Sequence, residues 1–177
     1  MKAPLADGRR WLRHRIESPE ARLLVVDAAL LVIRAALAWI FIYYGAGKLF
    51  GTFRGPGLHA TATFFAGTAH LHPGMFFAVL SGVTEFAGGI AIGVGLLGRL
   101  AALGLFADMI IAMITVTFSH GLIGNVDGVG YGLNVALAAL SATVALLGTG
   151  RFSASTLLRR RAPTRLATSE AVAPDAE

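Results

Sequence analysis

Long runs of apolar residues alternate with short polar stretches along most of this chain. Four runs are long enough for a helix to cross the hydrocarbon core of a membrane, which takes roughly 20 residues. They are Ala28–Leu49, Phe76–Leu97, Leu100–Phe118 and Tyr131–Leu147. The alternating pattern of a barrel strand does not occur in them. Because only helices satisfy their own backbone hydrogen bonds in lipid, the pattern predicts an all-α fold, a four-helix transmembrane bundle.

The connection between spans one and two has a pattern of its own. Gly55–Pro56–Gly57 indicates a turn. The stretch Leu58–Leu71 that follows is apolar, but it is too short and too polar to cross the membrane. It predicts a short interfacial or re-entrant helix, which His72–Pro73–Gly74 would end.

The composition agrees with a membrane protein. Of the 177 residues, 55% are hydrophobic and 14% are charged, whereas about a quarter of the residues in a soluble domain are charged. The chain has no cysteine, which excludes thiol–disulfide chemistry and cysteine-ligated metal centres on it. The net charge of +5 does not indicate nucleic-acid binding, since membrane topology accounts for the basic residues.

The basic residues are concentrated on one side of the predicted bundle. All of the 15 lysines and arginines except Arg34, Lys48 and Arg54 lie in the N-terminal segment, in the turn after span two or in the C-terminal tail. By the positive-inside rule, both termini of this multi-pass protein are cytoplasmic, and we expect it in the bacterial inner membrane.

This organisation predicts three regions. Residues 1–22 form a basic cytoplasmic segment, either an amphipathic helix on the membrane surface or a solvated tail. Residues 23–150 form the four-span membrane domain. Residues 151–177 form a basic and then polar cytoplasmic tail, which we expect to be disordered.

Three ionisable residues, Arg34, Glu85 and Asp108, lie inside the predicted spans. A charge there costs about 2.5–3.5 kcal/mol on insertion scales, so it usually faces a partner or a wet cavity. We interpret the three as candidate catalytic residues, a buried acid–base cluster that passes protons or hydrogen-bonds a quinone carbonyl. The alternative is structural: Arg34 neutralises one carboxylate, the other stays protonated, and the set fixes helix packing.

Small residues predict where the helices pack. Gly89 and Gly93 lie four residues apart in span two, a spacing that lets a neighbouring helix approach closely, either within the bundle or in a homodimer. Four histidines, with Asp127, fall on the outer side: His59, His70, His72 and His120. Their spacing is not diagnostic of a metal site, and we assign no metal ligand.

The residues around two of the buried charges resemble the signatures of a known family. Span one reads RAALAWIFIYYGAGKL from Arg34, and span two reads EFAGGIAIGVGLLGR from Glu85. Over roughly residues 30–148 the chain resembles DoxX-like membrane proteins. Asp108 is not part of that pattern. The residues that match it are Arg34, Gly45, Lys48, Glu85, Gly88, Gly89 and Arg99.

The resemblance implies a four-helix inner-membrane subunit of a quinone-linked oxidoreductase or an oxidative-stress complex. A catalytic centre on this chain is not implied, and we expect no cofactor beyond a bound quinone. The expected partners are the lipid bilayer and soluble or membrane oxidoreductase subunits. Lys48 and Glu85 are candidate substrate-binding residues, and the candidate structural residues are Gly45, Gly88, Gly89, Gly93 and Arg99.

Two other functions stay open. One is a non-catalytic scaffold that recruits soluble partners through its basic ends. The other is an oligomeric transporter of protons or small solutes, although the sequence has no pair of broken helices of the kind that marks transporter sites.

Overall fold

The structure, a computed structural model, describes residues 19–126 and 128–161. Its α-helices are α1 (Pro19–Phe50), α2 (Gly57–Gly67), α3 (Gly74–Val94), α4 (Gly98–Ala112), α5 (Gly132–Leu147) and α6 (Ala154–Arg161). α4 continues into a π-helical turn, Met113–Thr117, and a 3-10 turn, Phe118–His120. Two short strands, β1 (Gly124–Asn125) and β2 (Gly128–Val129), pair in antiparallel fashion between α4 and α5.

The protein is mostly helical, as predicted. Among the described residues, three helices are long and apolar enough to cross a membrane: α1, α3 and the continuous helix Gly98–His120. α5 is apolar but shorter, and its 16 residues give roughly 24 Å of helix. A short helix, α2, lies where the sequence predicts one between the first two spans.

The outward faces of the long helices are apolar. Trp39 on α1, Val83 on α3 and Leu103 on α4 are among the large apolar side chains that are exposed on the isolated chain. An apolar surface of this extent is costly in water, whereas acyl chains solvate it. The three candidate spans and these faces identify a membrane protein.

α1 begins earlier than the sequence predicts. Pro19 occupies the start of the helix, where its missing N–H removes no helical hydrogen bond, and the acidic Glu20 lies in the first turn. Residues 19–22 therefore belong to α1 and not to a separate basic segment. Residues 1–18, with most of the predicted surface helix, lie outside the described residues, as does Asp127.

The tail that we expected to be disordered from residue 151 is folded at its start. Ser153 caps α6, because its Oγ accepts a hydrogen bond from the N–H of Thr156 at 3.4 Å. The Ser153 hydroxyl also donates to the carbonyl of Gly150 at 3.0 Å. The rest of the predicted tail, residues 162–177, lies outside the described residues.

Glycines bring α1 and α3 into close contact. A Cβ added to Gly45 on α1 would collide with the backbone of Phe86 on α3. A Cβ added to Gly89 on α3 would lie 3.0 Å from the backbone nitrogen of Ile42 on α1. The two helices therefore approach closely over about one turn, which small residues in membrane helices permit.

The same face of α3 continues into the apolar core. Gly88 lies against Leu105 of α4, and Gly93 lies against Ala38 of α1. The core cluster joins α1, α3, α4 and α5 and consists of Leu37, Phe41, Ile92, Ala102, Leu105, Met109, Leu137, Ala138 and Val144. The candidate site lies next to this cluster, between the same helices.

The substitution Gly45→Ala tests the contact between α1 and α3. Its Cβ has no room unless the two backbones separate, so we expect the free energy of unfolding to fall by about 1–3 kcal/mol. Denaturant titration in detergent micelles measures it. Gly67→Ala is the matched control, because a Cβ at Gly67 meets nothing within 4 Å. Equal stability of Gly45→Ala and the control would contradict the close contact.

Candidate functional site

An ion pair joins α1 to α3. Lys48 Nζ lies 2.9 Å from Glu85 Oε2 and donates a hydrogen bond to Ser81 Oγ at 2.9 Å. Ser81 and Glu85 are four residues apart and so share one face of α3. Glu85 is 3% exposed, and a carboxylate that is so well buried needs a partner of this kind.

Asp108 brings α4 to the same place. It lines the same cavity as Lys48 of α1 and Ser81 and Glu85 of α3, and the charges of Lys48 and Glu85 act on it electrostatically. Its Oδ2 is buried and has no hydrogen-bond partner among the described residues. The polar cluster formed by Lys48, Ser81, Glu85 and Asp108 thus sets one cation against two carboxyl groups, and the Oδ2 of Asp108 has no hydrogen-bond partner among the described residues.

A cavity of about 370 Å³ lies beside the polar cluster. Residues of α1 to α5 line it, and most of its wall is apolar, with aromatic rings from Phe41, Tyr44, Phe64, Phe65 and Phe77. An apolar wall around a few convergent polar groups is typical of a small-molecule site.

The wall of the cavity also carries an amide that the sequence reasoning missed. Asn134 of α5 lines the cavity, and its Oδ1 accepts a hydrogen bond from Thr117 Oγ1 at 3.1 Å. Its Nδ2 lies 3.7 Å from Met109 Sδ. Ser81 was missed as well. In the sequence, each is a single polar residue inside an apolar span. A single polar residue does not show toward which neighbouring helix its side chain points.

Arg34 lies far from the polar cluster. Fourteen residues of α1, roughly 21 Å along its axis, separate it from Lys48. The Arg34 side chain is 1% exposed. Its guanidinium donates four hydrogen bonds, all to backbone carbonyls: Ile92 (2.8 Å), Gly93 (2.9 Å), Thr149 (2.7 Å) and Phe152 (2.9 Å).

The predicted cluster of Arg34, Glu85 and Asp108 is therefore not formed. Glu85 and Asp108 do meet, but the cation beside them is Lys48. The physical reason is the end of α3, where the chain turns at Gly95 with a left-handed φ of 77°. The last carbonyls of a helix have no partner within it, and the guanidinium supplies several N–H donors in one plane.

A second contact holds the same end of the molecule. Asp27 Oδ1 accepts a hydrogen bond from the backbone N–H of Arg151 at 3.0 Å, and Asp27 Oδ2 lies 3.9 Å from Arg151 Nε. Together with Arg34, this contact ties the segment after α5 to α1. Arg99, a predicted structural residue, donates to the carbonyl of Leu146 at 3.3 Å near the end of α5.

The comparison with protein families bears on this region. The DoxX family model matches residues 29–118, about half of the chain. The chain belongs to the DoxX family. The DoxX match includes Lys48, Ser81, Glu85 and Asp108, and it ends before α5 and Asn134. No curated protein and no solved structure matches the chain.

In the part of this DoxX protein that the structure describes, the histidines do not form a metal-binding group. His59, His70 and His72 are exposed. Over residues 19–126 and 128–161, no group of three or more histidine, cysteine, aspartate or glutamate side chains could hold a metal ion. The chemistry of the described part therefore centres on the polar cluster and its cavity.

The substitution Arg34→Lys tests the role of the guanidinium. Lysine keeps the charge but cannot reach four carbonyls in one plane, so we expect the segment after α5 to detach more often. Limited trypsin digestion followed by mass spectrometry measures cleavage at Arg151, which we expect to become several-fold faster. Arg22→Lys at an exposed position is the control. Unchanged cleavage in Arg34→Lys would show that the four hydrogen bonds do not hold this segment.

Proposed function

We propose that this DoxX-family protein is the quinone-binding subunit of an inner-membrane oxidoreductase and that it holds the quinone headgroup in the cavity beside the polar cluster. The observation that carries the proposal is the position of Asp108 Oδ2, a buried carboxyl oxygen without a hydrogen-bond partner among the described residues, at an apolar cavity of about 370 Å³.

The cavity wall suits the ring of a quinone. Aromatic side chains from three helices offer flat apolar surfaces, and such surfaces pack against a planar ring. Phe65 also lies under the ammonium of Lys48, with Nζ 5.9 Å from the ring centroid. A hydrophobic tail on the ligand would extend into the surrounding lipid.

The polar cluster suits the carbonyl oxygen of a quinone. The Lys48 ammonium has three hydrogens, and Glu85 and Ser81 engage it from one side. With one proton held by the pair of carboxyl groups, the cluster has no net charge, which is the state that a low-dielectric site favours. Lys48 and a protonated carboxyl group can then both donate to the ligand oxygen.

The same groups can supply protons. Reduction of a quinone to a quinol consumes two electrons and two protons. The electrons would come from a redox centre on a partner chain, and the protons would pass through Glu85 and Asp108. This division agrees with a subunit that carries no cysteine to ligate a redox metal.

The proposal includes the membrane topology. α5 would be the fourth crossing of a four-helix bundle, with α2 at the outer surface and both termini in the cytoplasm. Leu137, Ala138 and Val144 of α5 are buried in the same core as α4, which supports this arrangement. The exposed arginines at Arg22, Arg99 and Arg151 would then lie on the inner side.

Binding of decylubiquinone to the purified protein in detergent micelles, measured by isothermal titration calorimetry, tests the proposal. The double variant Lys48→Met with Glu85→Gln removes the cation together with the carboxylate that pairs with it and leaves Asp108 in place. Since a hydrogen bond to a charged group contributes about 1.5–3 kcal/mol, we expect the affinity to fall by roughly 10-fold or more.

The matched control is Glu20→Gln with Arg22→Met, which removes one exposed anion and one exposed cation from α1. We expect it to bind decylubiquinone like the unmodified protein. Absence of binding by the unmodified protein, or an equal loss in both double variants, would contradict the proposed site.

A further inference from the structure

The cavity has polar groups on two separate walls. The polar cluster occupies the wall formed by α1, α3 and α4, whereas Asn134 lies on α5. Both line the same space of about 370 Å³, which is within the range that small-molecule ligands occupy. A ligand in this cavity can therefore meet polar groups from α5 as well as from α1, α3 and α4.

The side-chain amide nitrogen of Asn134 makes no strong hydrogen bond within the described residues. The amide oxygen already accepts from Thr117 at 3.1 Å. One amide hydrogen faces Met109 Sδ at 3.7 Å, and thioether sulfur is a weak acceptor. The other has no partner among the described residues. Redirecting an amide hydrogen toward a ligand oxygen therefore breaks no strong hydrogen bond.

The helix that contacts Asn134 has an irregular backbone where it lines the cavity. α4 changes to a π-helical turn over Met113–Thr117, and Thr115, Val116 and Thr117 of that turn line the cavity. Turns of this kind interrupt the regular hydrogen-bond ladder and occur frequently at functional sites. Here the turn carries the Thr117 hydroxyl that orients Asn134.

We infer that Asn134 is a second ligand anchor that donates a hydrogen bond to a second oxygen on the ring, so that the site selects rings with two oxygen acceptors. The inference rests on the proposed function and narrows its ligand class. A ring with a single carbonyl satisfies the polar cluster and leaves the Asn134 amide unpaired. Because the amide then stays buried and unpaired, the site binds the ring with a single carbonyl less tightly than the ring with two.

Two probes with the same tail test the inference. Decylubiquinone has two opposed carbonyls, and a decyl-substituted 2-cyclohexen-1-one has one. We expect Asn134→Leu to weaken binding of decylubiquinone by roughly 3- to 10-fold, the range of one neutral hydrogen bond, and to change binding of the enone by less than about 2-fold. Asn134→Ala removes the same amide and carries the test if the leucine variant does not fold.

Thr143→Val is the control for polar-to-apolar changes in α5. Its hydroxyl donates to the carbonyl of Ala139 within the helix, and it does not line the cavity. We expect it to bind both probes like the unmodified protein.

The outcomes separate this inference from the proposed function. If the unmodified protein binds both probes with equal affinity, the quinone site stands and the second anchor is wrong. If Asn134→Leu weakens both probes equally, Asn134 only shapes the cavity, and the inference is again wrong. If the unmodified protein binds neither probe, the proposed function and this inference both fail.

Discussion

The ion pair of Lys48 and Glu85 and the close approach of α1 to α3 depend on each other. The Glu85 side chain is 4% exposed and belongs to a candidate membrane span, so its charge must find a partner within the protein. The 2.9 Å distance between Nζ and Oε2 requires the two helices to lie close together. Gly45, three residues before Lys48, allows this because it packs directly on the backbone of Phe86, the neighbour of Glu85. The cavity lies beside this contact, and its polar groups are those that the contact brings together.

Arg34 and Lys48 of α1 have different roles that follow from their chemistry. Arg34 uses a planar fork of donors to satisfy carbonyls at the end of α3 and after α5. None of those partners titrates, so the contact is fixed. Lys48 is a compact charge on a flexible stem, and it faces carboxyl groups that can take up and release protons. Arg34 thereby holds the end of α3 and the segment after α5 on α1, while the titratable carboxyl groups lie beside Lys48 near the other end of α1.

Much of the fold was predictable because apolar runs of span length and Gly–Pro turns are local signals. They placed the long helices, the short helix α2 and the positions of Glu85 and Asp108 inside long helices. The partner of Arg34 was not predictable, since backbone carbonyls at a helix end have no signature in the sequence, and a carboxylate seemed the natural partner. Lys48 was recognised from its motif. Its pairing with Glu85 depends on the position of α3 along the axis of α1, which the motif does not specify. Asn134 and Ser81 were overlooked because their direction is set by packing between helices.

The coupling energy between Lys48 and Glu85 tests the account most directly. A double-mutant cycle compares the free energies of unfolding, in detergent micelles, of the unmodified protein, Lys48→Met, Glu85→Gln and the double variant. If the pair holds α1 on α3, each single variant leaves an uncompensated buried group, and the double variant recovers part of the loss. We expect a coupling energy of about 1–3 kcal/mol. Additive losses, with no coupling between the two positions, would contradict the account.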